Sequence, residues 1–147
     1  GKEYDHQIVF GMQSPTVRQM LWPDYMDRAT SLISAHAQIS SRAAIDIGST
    51  VHHGAVILPN ATIGKAVQIH PGVLVHHESV VGDFTTLSPG AMILGRVNIG
   101  QGAFIGAGAI IRENINIADN AIIGAGAVVV KDVSQNQTVA GVPAKPM

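Results

Sequence analysis

The chain carries seven histidines, and five of them fall between residues 52 and 77. One has an acidic neighbour directly beside it: His77 is followed by Glu78. An imidazole titrates near neutrality and can take a proton from an attacking amine or hydroxyl. A neighbouring carboxylate can orient the ring and raise its basicity. A single exposed histidine is ordinarily just a solvated surface residue, so the pair, not the ring alone, points to general-base chemistry. His76 reads as a neighbouring surface or interface residue. His52 and His70 lie 18 residues apart, and Ser88 is 18 further on. They read as an outer-face ladder, or otherwise as the wall of a substrate pocket. His6, His36 and His53 give no constellation.

Composition narrows the rest. There is no cysteine, which excludes disulfides, thiolate metal sites and a cysteine nucleophile. The 147 residues make room for one ordinary domain, or one with a small appendage. Hydrophobic residues are 46%, charged residues 13%, and the net charge is −1, which excludes a disordered solvating chain. No Lys/Arg cluster is present to release counterions, so no nucleic-acid partner is expected. The longest apolar stretch, Ala121 to Val130, is half a membrane span and holds two glycines. No charged-then-apolar signal segment opens the sequence, so no membrane partner is expected either, and a cytoplasmic location fits.

The elements that must position these residues fall into two kinds of sequence. Four of the six aromatics (Tyr4, Phe10, Trp22, Tyr25) lie at or before Tyr25, and 14 of the 16 glycines come after residue 32. Residues 1–32 read as a strand, Gln7 to Met12, followed by a helix. Ser14-Pro15 supplies an N-cap and first helical position, and Pro23 is expected to stop the helix after Trp22. Two elements bury too little surface to close a core. This piece is therefore a docked appendage, or the last βα unit of a larger domain.

From Ile33 to Val129 every sixth residue is aliphatic, 17 in a row without insertion. Four places after each, 16 of 17 positions are Ala, Ser, Thr or Val, and only Ile115 is larger. Three places after each, 11 of 17 are Gly, Asn or Asp. A helix would scatter this pattern around its axis. A strand can use it, because positions i and i+4 share one face. The Gly/Asn/Asp position supplies the unusual backbone of a corner. Short strand, corner and short strand again make a coil that stacks on itself, in an all-β solenoid. Burial of the aliphatics alone cannot offset the ordering of so many residues. The coils must also hydrogen-bond in ladders, and the open flanks are expected to bury surface in an oligomer.

The unbroken hexads resemble the left-handed parallel β-helix of the hexapeptide-repeat acyltransferases over residues 33–147. Three hexads per coil and strands about 4.8 Å apart would give nearly six coils. Handedness belongs to the resemblance, since parallel crossovers are otherwise right-handed. Val75-His76-His77-Glu78-Ser79-Val80-Val81-Gly82-Asp83-Phe84, followed by Leu87-Ser88-Pro89-Gly90-Ala91, is similar to one branch of that family. This branch holds bacterial nucleotide-amino-sugar N-acetyltransferases and sialic acid O-acetyltransferases. The resemblance implies His77 as catalytic base and Glu78 as its acidic partner. It implies acetyl-CoA as donor without a metal, and direct attack by the amine or hydroxyl of a sugar or nucleotide sugar. Where the family often has a second histidine at the acetyl donor, this sequence has Thr86. Its hydroxyl can hydrogen-bond a thioester carbonyl but cannot act as a base near neutral pH.

Gly95 lies three hexads after His77, on the same corner one coil on, and a missing side chain there is expected to leave room for a thioester. Ile105-Gly-Ala-Gly-Ala109 and Ile123-Gly-Ala-Gly-Ala127 repeat in register and make a strip of wall nearly without side chains. Pantetheine could lie along it, although the corners alone would require several of these glycines. The resemblance implies that backbone groups at Gly95, Ala107 and Ala125 contact the cofactor. Val139-Ala140-Gly141-Val142-Pro143-Ala144-Lys145 matches the family's Gly-x-Pro-Ala-Lys/Arg ending, with Lys145 placed to meet a coenzyme A phosphate. A homotrimer with sites between subunits is expected. Residues 7–32 look like the last strand and helix of the nucleotide-sugar-binding αβ domain that usually precedes such a solenoid. Two other classes compete. A zinc carbonic anhydrase on the same solenoid needs three imidazoles, two in a His-x4-His spacing, and no histidine pair here has it. A non-catalytic scaffold is favoured by Thr86 and opposed by the Gly-Ala strips and the C-terminal motif.

Overall fold

The computed structural model describes residues 6–147; residues 1–5, Tyr4 among them, lie outside the described residues. Each hexad folds as a two-residue strand and a corner, as in Gln68–Ile69. The aliphatic residue points in and its predecessor points out. From Gly48 to Gly126, every residue three places after a hexad aliphatic has a left-handed backbone, with φ between 48° and 78°. Ten of these fourteen corners carry Gly or Asn, the residues that tolerate that conformation most cheaply. The others are Ala66, Glu78, Phe84 and Arg96.

Three corners close a coil, so residues three hexads apart pair in parallel, for example Thr50↔Gln68, Leu74↔Met92 and Val80↔Asn98. Among the described residues the strands form three sheets of eight, six and five strands, one on each face of a solenoid of about six turns. The first face holds Thr50–Val51, Gln68–Ile69, Thr86–Leu87, Phe104–Ile105 and Ile122–Ile123. The second holds Val56–Ile57, Leu74–Val75, Met92–Ile93, Ile110–Ile111 and Val128–Val129. The third holds Thr62–Ile63, Val80–Val81, Asn98–Ile99 and Asn116–Ile117. The hexad aliphatics from Val51 to Val129 are all buried and form one core with the small residues four places later. Where that later residue is polar, its hydroxyl bridges coils: Ser79 Oγ donates to Leu94 O (2.8 Å) and accepts from the Val97 N–H (3.2 Å).

The repeat shortens at its end. Ile117 pairs with Val133 and Ile122 with Thr138, each two positions short of a full coil. Thr138–Ala140 then turns back antiparallel on Lys145–Pro146. Among the described residues no helix is long and apolar enough to cross a membrane.

The N-terminal segment differs in two ways from its sequence reading. No strand forms over residues 7–12, where Ile8 makes a single parallel bridge to Ala29. A helix, α1, runs Pro15–Tyr25 with Ser14 as N-cap, its side chain accepting from the Val17 N–H at 3.4 Å. It passes through Pro23 rather than stopping at Trp22, because a proline in the last turns removes only one hydrogen bond. The segment docks on the first face and its adjoining corner. Trp22 lies 5.2 Å from Phe10 and edge-on to Phe84 at 5.8 Å, and a side chain at Gly48 would come within 2.8 Å of its ring.

Arg18 is the centre of that contact. It is fully buried, and among the described residues no carboxylate pairs with it. Its guanidinium donates to Ala66 O (2.8 Å), Met12 O (2.6 Å), Gln13 O (2.8 Å), Phe84 O, Thr85 O (3.2 Å) and Thr86 Oγ1 (2.9 Å). Burial pushes its pKa down to about 10, so it stays cationic at neutral pH. Two of the side-chain-bearing left-handed corners, Ala66 and Phe84, turn their carbonyls to this cation. Replacing Arg18 by Met should leave those acceptors unpaired and cost about 2–4 kcal/mol, since hydrogen bonds to charged groups are the stronger kind. Urea unfolding followed by Trp22 emission checks it. An unchanged midpoint would show that the buried cation contributes nothing net.

Candidate active site

His77 stands at the corner between the second and third faces, two places past the buried Val75. Its ring is about one-third exposed, and Nδ1 lies 2.9 Å from Glu78 Oε2. An ionised carboxylate only accepts, so the neutral ring carries its proton on Nδ1 and leaves the Nε2 lone pair unclaimed. Glu78 is held in place by its backbone: φ is 59°, and its N–H donates to Pro59 O at 3.1 Å. Arg96, one coil on, brings Nη1 to 3.6 Å from the same Oε2 and donates from Nε to Asn114 Oδ1 at 2.9 Å. Sequence reasoning missed Arg96. The signal was its register, one full coil after Glu78.

Gly95 is buried beneath the ring. A Cβ there would lie 3.0 Å from both Cε1 and Nε2 of His77 and 3.5 Å from His76 Nδ1. The missing side chain at Gly95 is what admits the His77 ring at this corner. His76 lies beside that ring. Its ring packs at 4.5 Å, roughly edge-on, against His77. Its Nδ1 is buried without a hydrogen-bond partner among the described residues.

The structure does not bring Thr86 to this corner. Thr86 sits fully buried on the first face under the N-terminal segment. Its hydroxyl donates to Gln13 O (2.6 Å) and accepts from Arg18 Nη2 (2.9 Å). Both of its hydrogen-bonding directions are taken within the chain, which leaves nothing for a thioester carbonyl.

The Gly-Ala strip lies on a different edge, between the first and second faces. Ala107, Gly108, Ala125 and Gly126 are exposed there, and a Cβ at Gly108 or Gly126 would meet open space. Gly106 and Gly124 instead answer to coil stacking: a Cβ on them would come within 2.5 Å of Ala125 N and 2.8 Å of Ala140 Cβ. Gly126 N–H donates to Ala107 O (2.8 Å) and Gly108 N–H to Pro89 O (2.9 Å). The N–H groups of Ala107 and Ala125 have no acceptor among the described residues. Lys145 is exposed on the terminal strand pair. Within one chain, the second face separates this strip from His77.

Further up the strip edge, His52 and His70 stack at 5.2 Å with an interplanar angle of 6°, as their spacing implies. Among the described residues no three His, Asp or Glu side chains converge on a possible metal position.

The sequence matches the family described as bacterial transferase hexapeptide (six repeats) over residues 96–131. No curated protein matches it. Solved structures do. The acetyltransferase domain of PglB from Neisseria gonorrhoeae, solved alone and with acetyl coenzyme A, is 30% identical with a TM-score of 0.93, over 96% of this chain and 70% of that one. WeeI from Acinetobacter baumannii is 30% identical with a TM-score of 0.95, over 100% of this chain and 74% of that one. The chain belongs to the hexapeptide-repeat acyltransferases. PerB from Caulobacter crescentus, solved with CoA and GDP-perosamine, is 29% identical with a TM-score of 0.94, over 97% of this acyltransferase chain and 70% of its own.

The stacked histidines give this acyltransferase a pH signature. Burial pushes the His70 imidazole below its ordinary range, and the charges of His52 and Arg18 push it further. As pH falls through the unfolded histidine range, the unfolded chain takes up a proton before folded His70 does, so stability drops. Urea midpoints of a His70→Asn variant should fall less between pH 7 and pH 5 than those of the parent. An equal fall in both would remove His70 from the acid response.

Proposed function

We propose that this chain is an acetyl-CoA-dependent N-acetyltransferase acting on an amino sugar linked to a nucleotide. The observation that carries the proposal is the 2.9 Å His77–Glu78 pair, set over a side-chain-free Gly95 with Nε2 unclaimed. His77 Nε2 takes the proton from the acceptor amine as its nitrogen attacks the thioester carbonyl. Glu78 stabilises the imidazolium that forms. Departure of the thiolate then completes the transfer without a covalent enzyme intermediate. The solved relatives support this reading, since one is named a perosamine N-acetyltransferase and holds CoA and GDP-perosamine. The bare strip at Ala107 and Ala125 fits pantetheine, with two N–H groups to offer it, and Lys145 is exposed to meet a phosphate.

The base and the strip sit on opposite edges of the second face, so one chain does not complete a site. The outward column of that face runs Gln38, Val56, Leu74, Met92, Ile110 and Val128, apolar over its last five coils. The third face presents Asn98 and Asn116 in place of such a run. A face of that kind favours burial against another copy, which would lay the strip of one subunit beside the base of its neighbour in a homotrimer. The N-terminal segment, residues 7–32, would then sit as the junction to a nucleotide-sugar-binding domain.

His77→Ala should keep folding and coenzyme A affinity while turnover falls by about 10²–10⁴, the range for a lost general base. Thiol release from acetyl-CoA with a panel of nucleotide-linked amino sugars, free amino sugars and sialic acids measures it. Full turnover by the variant would end the general-base reading, and release with sialic acids alone would replace the acceptor class.

Ala125→Trp should abolish coenzyme A binding by calorimetry, and sedimentation of the parent should give a trimer. Unchanged affinity would place the donor elsewhere on the surface.

A further inference from the structure

We propose that Arg96 is a positioning residue for the acid–base pair, acting on His77 through Glu78. The inference rests on the general-base reading of His77 given above. Glu78 is half-exposed, and an exposed carboxylate left to itself samples water as readily as its neighbour. Here one oxygen, Oε2, is approached from two sides, by His77 Nδ1 at 2.9 Å and by Arg96 Nη1 at 3.6 Å. Arg96 is itself aimed. Its Nε donates to Asn114 Oδ1 at 2.9 Å, which turns the rest of the guanidinium fork toward the carboxylate.

The backbone makes this arrangement. Asn60, Glu78, Arg96 and Asn114 occupy the same corner position on four successive coils, with φ of 62°, 59°, 57° and 59°. A left-handed glutamate and a left-handed arginine are costly choices where glycine or asparagine would serve the corner better. Their side chains point along one column, so the acidic group lies between the base on its own coil and the cation on the next. Surface ion pairs contribute little stability, and stability is not what this one supplies. It holds Oε2 where it accepts the Nδ1 proton and so keeps the Nε2 lone pair available. Without Arg96 the carboxylate swings into water more often. The ring then redistributes toward the Nε2–H tautomer, which cannot accept a proton at Nε2.

The test reads the ring directly and needs no substrate. Long-range nitrogen–proton NMR correlations of the histidine rings, recorded at mildly alkaline pH with His77 assigned by its loss in His77→Gln, report the two tautomers. In Arg96→Gln the ratio of Nε2–H to Nδ1–H at His77 should rise about two- to five-fold, the range set by an exposed ion pair. Asn114→Ala should move it the same way by less, and Arg96→Lys, which keeps a cation near Oε2, should recover part of the parent ratio. With the acceptor found by the screen, kcat should fall in Arg96→Gln while KM for acetyl-CoA holds. A parent-like ratio in Arg96→Gln, with Glu78→Gln shifting it, overturns the proposal. If the ratio moves as expected but the parent transfers no acetyl group to any acceptor, the positioning role stands and the acetyltransferase reading fails.

Discussion

From Gly48 to Gly126 every corner of this solenoid turns on one left-handed residue, and these residues recur every six positions with three to a coil. The register of one coil on the next follows from that spacing, and everything outside the core inherits it. Outward side chains cannot be placed one at a time; they come in columns, each side chain stacked on its counterpart one coil away. His52 over His70, Glu78 over Arg96 over Asn114, and Ala107 over Ala125 are columns of this kind. The coil ladder holds the columns in place, because the corner residues from Gly54 to Gly126 each donate a backbone hydrogen bond to the coil before. A site built on such columns needs few supporting contacts of its own.

Departures from the cheapest corner residues concentrate where something must be held. A left-handed backbone costs an L-residue roughly 1–2 kcal/mol, and the repeat mostly avoids that cost with glycine and asparagine. The four other residues form two pairs. Ala66 and Phe84 present their carbonyls to Arg18, and Phe84 packs edge-on to Trp22. Glu78 supplies the carboxylate beside His77, and Arg96 flanks it from the next coil. Two arginines thus organise the surface in different ways. Arg18, sealed from water among neutral oxygens, fastens the N-terminal segment to the first face and takes up the Thr86 hydroxyl. Arg96, in solvent, aims one side chain at another.

The same geometry explains why, on the proposed function, one chain holds the parts of an active site without assembling them. The proposed base, His77, stands on one edge of the second face, and the side-chain-free strip stands on the other. A rigid prism cannot fold its edges together, so only a neighbouring molecule can bring a strip to a base. The apolar column between the two edges is the surface such a neighbour would cover.

Much of this was legible in the residues. The period of six dictated strand and corner, because no helix can keep one residue in six on a single side, and the register then placed His77, Gly95 and both Gly-Ala stretches on their edges. His77 and Glu78 were legible as a pair because they are adjacent in sequence. What the sequence could not convey were contacts between segments far apart along it. Arg18 looks like any surface arginine on a short helix, and only docking shows it meeting carbonyls several coils further along the chain and taking the Thr86 hydroxyl from the site. Spacing puts Gly95 one coil after His77, but only the fold shows the ring of His77 lying within 3.0 Å of where its Cβ would be. Pro23 reads as a stop, yet the helix carries on to Tyr25. Local spacing determines repeating backbone geometry, since each coil repeats the conditions of the last. Which side chain fills a gap or caps a carbonyl depends on how separate pieces meet in space, and that was decided only by the folded chain.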